Sequence, residues 1–299
     1  MNIKNIIRMK TKIFAQNILK YKTRNVISSV LSLVLLGLFT AFTSCSSDET
    51  QTVANFTELV MQDEFDTDGV LDNSIWGYDI GNGEGTAAGP GWGNNELEYY
   101  TDRTENVTVQ NGILIITAKE ESFEGSNYTS ARISTKGKFE QAYGRFEARI
   151  RLPYGQGIWP AFWLLGADCG PAVVWPECGE IDIMEYRGQE PTTIHGSVHG
   201  NGFSGAEAVT KSYSLENDRF DTGFHVFGIE WAPEYINYYV DDVLYNQITP
   251  ADVPGEWVFD HPFYIIINLA VGGDFVGAPN SETVFPQTML IDYVRVYKQ

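Results

Sequence analysis

Six consecutive residues, Glu180-Ile-Asp182-Ile-Met-Glu185, place three carboxylates in one short, apolar, strand-like run. Carboxylates are depleted in strands and costly to bury, so three of them among Ile and Met need a chemical reason. On a strand Glu180 and Asp182 share a face, because side chains alternate. Strict alternation would next bring Met184 to that face. One extra residue, a β-bulge, would bring Glu185 there instead, and bulges favour the neighbourhood of active sites. A chemistry that needs such a row is glycoside hydrolysis with retention. One carboxylate attacks the anomeric carbon while a protonated carboxyl delivers a proton to the leaving oxygen, the two about 5–5.5 Å apart. Asp182, in the middle, would set the protonation of both by like-charge coupling and a shared hydrogen bond. An isolated acidic strand or a cation site would show the same spacing, and the surroundings decide between these readings.

Those surroundings are aromatic. Trp159-Pro-Ala-Phe-Trp163 precedes the row, Trp175-Pro-Glu-Cys-Gly leads directly into it, and His195-Gly-Ser-Val-His199 follows. Sugar rings present C–H faces that stack on indole, while carboxylates, Asn and His take up hydroxyls. Three Trp within seventeen residues, converging on one carboxylate row, point to a carbohydrate cleft.

The elements that must hold this row read as strands. Arg145–Leu152 puts Phe146, Ala148, Ile150 and Leu152 on one face with four charged residues opposite. Gly112–Thr117, Phe224–Trp231 and Tyr235–Val240 alternate in the same way, and Asp241-Asp242 turns the chain into Val243–Ile248. No long helical period or internal repeat interrupts them. Many short strands in about 240 residues imply one all-β domain, a two-sheet sandwich with a large core.

Several segments resemble glycoside hydrolase family 16: Trp92–Thr101, Tyr143–Ile150, Gly157–Gly166, Gly179–Tyr186, Gly196–Gly200, Asn268–Gly273 and Asp292–Tyr297. The match is collinear from about Glu58 to the C-terminus and is most similar to bacterial laminarinases, the endo-β-1,3-glucanases. The resemblance implies a concanavalin-like jelly roll with a substrate cleft on its concave sheet. It implies Glu180 as nucleophile, Asp182 as assistant and Glu185 as acid/base. The bulged spacing resembles laminarinases, agarases and carrageenases, whereas lichenases and xyloglucan transferases use a shorter row. Further implied substrate contacts are Trp159, Trp163, Trp175, His199, Asn94, Asn95, Glu98 and Arg132. No cofactor is implied for catalysis. One structural Ca²⁺, held at Glu64, Gly112 and Asp292, is expected from relatives and suits oxygen ligands. The rival readings are the same chemistry on agarose, porphyran or mixed-linkage β-1,3/1,4-glucan, and a non-catalytic glucan-binding surface lipoprotein.

Residues 1–44 stand apart. They hold seven Lys/Arg and no acid, with an apolar run from Val26 to Phe42 that ends in Thr-Ser-Cys45. Basic segment, apolar segment, small residues and Cys form the layout of a lipoprotein signal peptide, with acylation at Cys45 after cleavage. Residues 45–57 then read as a polar tether and 58–299 as the catalytic domain. Ser46-Ser-Asp-Glu49 resembles a surface-export signal. The expected location is therefore the outer membrane or surface of a Gram-negative cell. Without residues 1–44 the net charge moves from −19 to −26. Such a surface repels nucleic acid and sulfated galactans and favours a neutral polysaccharide, here β-glucan, taken up by a monomer. Cys169 and Cys178 close a ten-residue loop in an exported chain, where a disulfide or two buried thiols are both open.

Overall fold

A computed structural model describes residues 55–299. The signal segment, Cys45 and most of the tether lie outside the described residues. The chain forms β1 (Glu58–Asp63), β2 (Gly77–Tyr78), β3 (Glu98–Tyr100), β4 (Val107–Gln110), β5 (Ile113–Phe123) and β6 (Ser126–Ser130). There follow β7 (Arg132–Ser134), β8 (Gly144–Arg151), β9 (Ile158–Gly166), β10 (Glu180–Tyr186), β11 (Thr193–His199) and β12 (Val209–Ser214). The last are β13 (His225–Ala232), β14 (Tyr235–Val240), β15 (Val243–Ile248), β16 (Phe263–Val271) and β17 (Gln287–Lys298).

They make two sheets. One runs β15-β14-β13-β8-β17-β5-β6-β3, with β1 on β17 and β4 on β5; the other runs β12-β11-β10-β9-β16-β7-β2. Neighbours distant in sequence, such as β8 beside β17 and β9 beside β16, give the crossed connections of a jelly roll. The predicted alternation sets the core. Phe146, Ala148 and Ile150 of β8 and Leu114, Ile116 and Ala118 of β5 are fully buried. They join one cluster with Phe162 and Leu164 of β9 and Ile181 and Ile183 of β10 from the second sheet. Each Leu, Ile or Phe so buried contributes about 1.5–3 kcal/mol relative to exposure. That apolar side fixes which residues of the seven-stranded sheet must face outward. The turn at Asp241-Asp242 takes positive φ at both positions, 49° and 61°, as a tight hairpin requires.

Candidate active site

Register places the outward row. On β10, Glu180, Asp182 and Glu185 lie opposite His199, Ser197 and His195 of β11, and three residues of β10 span two of β11 between Asp182 and Glu185. Against β9 the same shift falls between Asp182 and Met184. The bulge expected from the spacing is there. It sends Ile183 and Met184 both into the core, each at most 1% exposed, and returns Glu185 to the polar face. Across β9 that face carries Trp163 opposite Asp182 and Ala161 opposite Glu185. It continues to Asn268 of β16, opposite Ala161, and to Arg132 of β7, opposite Asn268.

Each carboxylate of the row has its own partner. Trp175 Nε1 donates to Glu180 Oε2 at 2.9 Å, and Trp159 Nε1 donates to Glu185 Oε1 at 3.2 Å. Asp182 is 3% exposed, with Oδ2 3.0 Å from His199 Nε2, which also lies 3.7 Å from Glu180 Oε1. Burial and the Asp182 charge push the Glu180 carboxyl up to about 7, while His199 and Trp175 hold it down. Glu185 is raised well above the usual carboxylate range, by burial first and by Asp182 next. Burial opposes a charge on His199, but Glu180 and Asp182 outweigh it and raise the ring to about 10. The Gly205 N–H reaches His199 Nδ1 at 3.1 Å and works against that charge, since a doubly protonated ring has no acceptor there. The row thus combines one carboxylate supported by imidazole and indole N–H groups with one carboxyl kept protonated. That division is what retaining hydrolysis requires.

The Trp side chains divide their work. Trp175, 46% exposed, sits in the Cys169–Cys178 loop, which the structure closes with a disulfide, Cα atoms 5.1 Å apart. Its open face suits a sugar ring. Trp163 donates to Asn268 Oδ1 at 2.8 Å and lies 4.9 Å under the Arg132 guanidinium, which also covers Trp92 at 4.6 Å. Arg132 is thus held between two indoles and tied by Nε to Asp79 Oδ2 at 3.0 Å.

A family model described as glycosyl hydrolases family 16 matches residues 94–295. The chain belongs to glycoside hydrolase family 16. A β-glucanase of Rhodothermus marinus is 42% identical over 273 residues, covering 88% of this chain and 93% of that protein. A glucan endo-1,3-β-glucosidase A1 of Niallia circulans is 39% identical over 81% of this chain, which spans only 38% of that longer protein. The laminarinase catalytic domain of Thermotoga maritima superposes with a TM-score of 0.76 at 50% identity, covering 81% of this chain and 98% of that one. Enzymes of family 16 retain configuration and need no catalytic cofactor.

Within this family 16 domain one predicted substrate contact falls elsewhere. Glu98, expected in a loop at the substrate, is fully buried in β3. Its Oε2 accepts from the Val271 N–H at 2.6 Å, and burial beside Glu96 raises its carboxyl well above the usual range. Alternation along Glu96-Leu97-Glu98 turns both acids inward, and a neutral carboxyl tolerates that site. The two acids expected at calcium are engaged in ion pairs. Glu64 gives both carboxylate oxygens to Arg295, at 2.7 and 2.8 Å, and Asp292 Oδ2 is drawn to Arg149 at 2.5 Å. The two acids face separate guanidinium groups, while Gly112 lies in a turn, where its carbonyl was expected to contribute. Asn94 and Asn95 are exposed. Asn94 donates to Glu96 Oε1 at 3.1 Å, and the Asn95 amide bridges to Asp274 at 3.0 Å.

Asn268 was not anticipated as a site residue. It accepts from Trp163 and donates to Tyr100 Oη at 3.1 Å, whose hydroxyl in turn reaches Glu96 Oε2 at 3.0 Å. Its signal was present: one Asn inside the otherwise apolar run Phe263–Val271. A buried amide in such a strand needs partners, and here they form the floor of the cleft.

Proposed function

We propose that the chain is an exported endo-β-1,3-glucanase that cuts laminarin-type glucan with retention and is held to a membrane by lipid on Cys45. One observation carries the enzymatic reading: the bulged row sets Glu180 and Glu185 on one face in different environments. Glu180 attacks the anomeric carbon as Glu185 transfers its proton to the glycosidic oxygen, breaking that bond and leaving a glycosyl ester on Glu180. Glu185, now ionised, takes a proton from water as its oxygen attacks the same carbon. Glu180 leaves as carboxylate and the β configuration returns. The His199 proton beside Glu180 and the Trp175 N–H steady the carboxylate both before and after the covalent step. A glucan-binding lipoprotein without activity would have no need of all three acids.

The β-1,3-glucan assignment is supported by the names of the relatives and by the net charge, which disfavours sulfated chains. Separate digestion of laminarin, lichenan, agarose and carrageenan tests it. Laminarin is expected to yield β-1,3-linked oligosaccharides at the highest rate, with little or nothing from carrageenan. Oligosaccharides from agarose alone would refute the glucanase while sparing the mechanism. Membrane attachment and surface display rest on residues 1–49. Shaving intact cells with protease is expected to release the domain, and an unchanged cell-bound activity would sink the surface location.

A further inference from the structure

We infer that Phe275 is a positioning residue for the proton donor. From a loop ninety residues beyond Glu185 in sequence, it fixes the Trp159 indole so that its N–H meets the Glu185 carboxyl, and Arg187 clamps it in place. The inference rests on the glucanase reading above and adds to it a residue outside the catalytic sheet.

The geometry is a stack. Trp159 packs on the backbone of Gly273, where an added Cβ would stand 3.0 Å from the indole Cζ3. Phe275 covers the same ring, centroids 5.2 Å apart at 42°. On its remaining sides Phe275 meets the His195 ring edge-on at 5.4 Å and carries the Arg187 guanidinium 4.1 Å above its plane. Arg187 is itself paired with Glu190 at 3.3 Å. The loop is pinned just beyond Phe275, where the amides of Gln156 and Gln189 both donate to the Val276 carbonyl, at 2.7 and 2.9 Å.

An indole on a strand has a second broad torsion to choose from, so its N–H direction is set by what packs on its faces. Here those faces are set by the 272–277 loop, which lies past the end of β16 and makes no strand of the sheet. Glu180 and Asp182 face Glu185 along β10, His199 and His195 from β11, and Trp159 from β9. Burial and Arg187 lower the His195 pKa, so that ring adds no positive charge at neutral pH. The Trp159 N–H favours the ionised form of Glu185. Releasing the indole removes that support. Glu185 then holds its proton to higher pH and is less well aimed at the leaving oxygen.

The test compares two leaving groups in Phe275→Ala. A laminari-oligosaccharide needs its leaving oxygen protonated, whereas the dinitrophenyl β-laminaribioside loses a stable phenolate without acid. We expect kcat/KM to fall about tenfold for the first, a fraction of the full worth of a general acid, and less than about twofold for the second. The basic limb of the pH profile should move up, and Phe275→Tyr, which keeps the ring, should restore both readouts. Arg187→Met keeps the Phe275 ring but removes its clamp, and should show the same split at smaller size, which covers poor folding of the alanine variant. A parallel fall on both substrates with an unmoved basic limb, or no change on either, would overturn the role. Wild-type enzyme that cleaves neither substrate would overturn the glucan reading and this proposal with it.

Discussion

Glu180→Ala and Glu185→Ala are each expected to lose at least about 10⁴-fold in kcat on laminarin. Azide separates their roles. In Glu180→Ala the small anion occupies the vacated side and attacks the anomeric carbon there, giving the α-glycosyl azide. In Glu185→Ala an aryl glycoside still forms the ester on Glu180, and azide then attacks from the opposite side without needing a base, giving the β-azide. The reverse pair of products would exchange the two assignments, and retained activity in either variant would remove both. Folding should not suffer. The Glu180 carboxyl titrates near 7 in the folded chain against an ordinary 4.5. The folded state therefore holds a proton that the unfolded chain releases, and this group's contribution to stability falls as pH rises from about 4.5 to 7. The alanine variant should accordingly melt at or above the wild type near pH 7 and lose that advantage near pH 4.

Asp182→Asn carries the next largest effect, about 10²-fold in kcat, together with a displaced pH profile. The Asp182 charge raises both glutamates, and for each it is the largest cause after burial. Without it both carboxyls ionise at lower pH. The acid limb, set by ionisation of the nucleophile, moves down, and so does the basic limb, set by deprotonation of Glu185. The whole bell should slide towards acid, its two limbs read as properties of the coupled row rather than of single residues. His199 loses the partner at 3.0 Å and part of its reason to be charged. A profile that loses height without moving would show that Asp182 acts only by holding His199 in place.

The catalytic row was legible because it violates its own neighbourhood: acids in an apolar strand, one residue out of step. The alternation of Arg145–Leu152 was legible for the opposite reason, since it obeys the period of a half-buried strand without exception. What stayed hidden depends on who stands across the sheet. Glu64 meets an arginine 231 positions further on, and Glu98 meets a backbone N–H 173 positions on. Periodicity says which face a side chain takes but not which partner waits there. So two acids expected at an ion are spent on guanidinium groups, and one expected at substrate sits in the core. Phe275 was hidden in a loop, where no period exists to read.

The excursion between β9 and β10 closes on itself at its neck. The Gly166 N–H bonds the Gly179 carbonyl at 3.1 Å, and a side chain at Gly166 would collide with the Cys178 carbonyl, 1.9 Å from its Cβ. The bridge from Cys169 to Cys178 ties the same point. Everything beyond that knot can lengthen, shorten or change its aromatic content without the strand beneath it feeling a shift in register. From beyond the knot the Trp175 indole reaches back to Glu180, while at the neck Asp168 meets His261 at 3.0 Å. The loop that presents the Trp175 indole is thereby anchored at its own base, apart from the strand that breaks the bond, so the surface that reads the sugar and the row that cuts it are held by different fastenings.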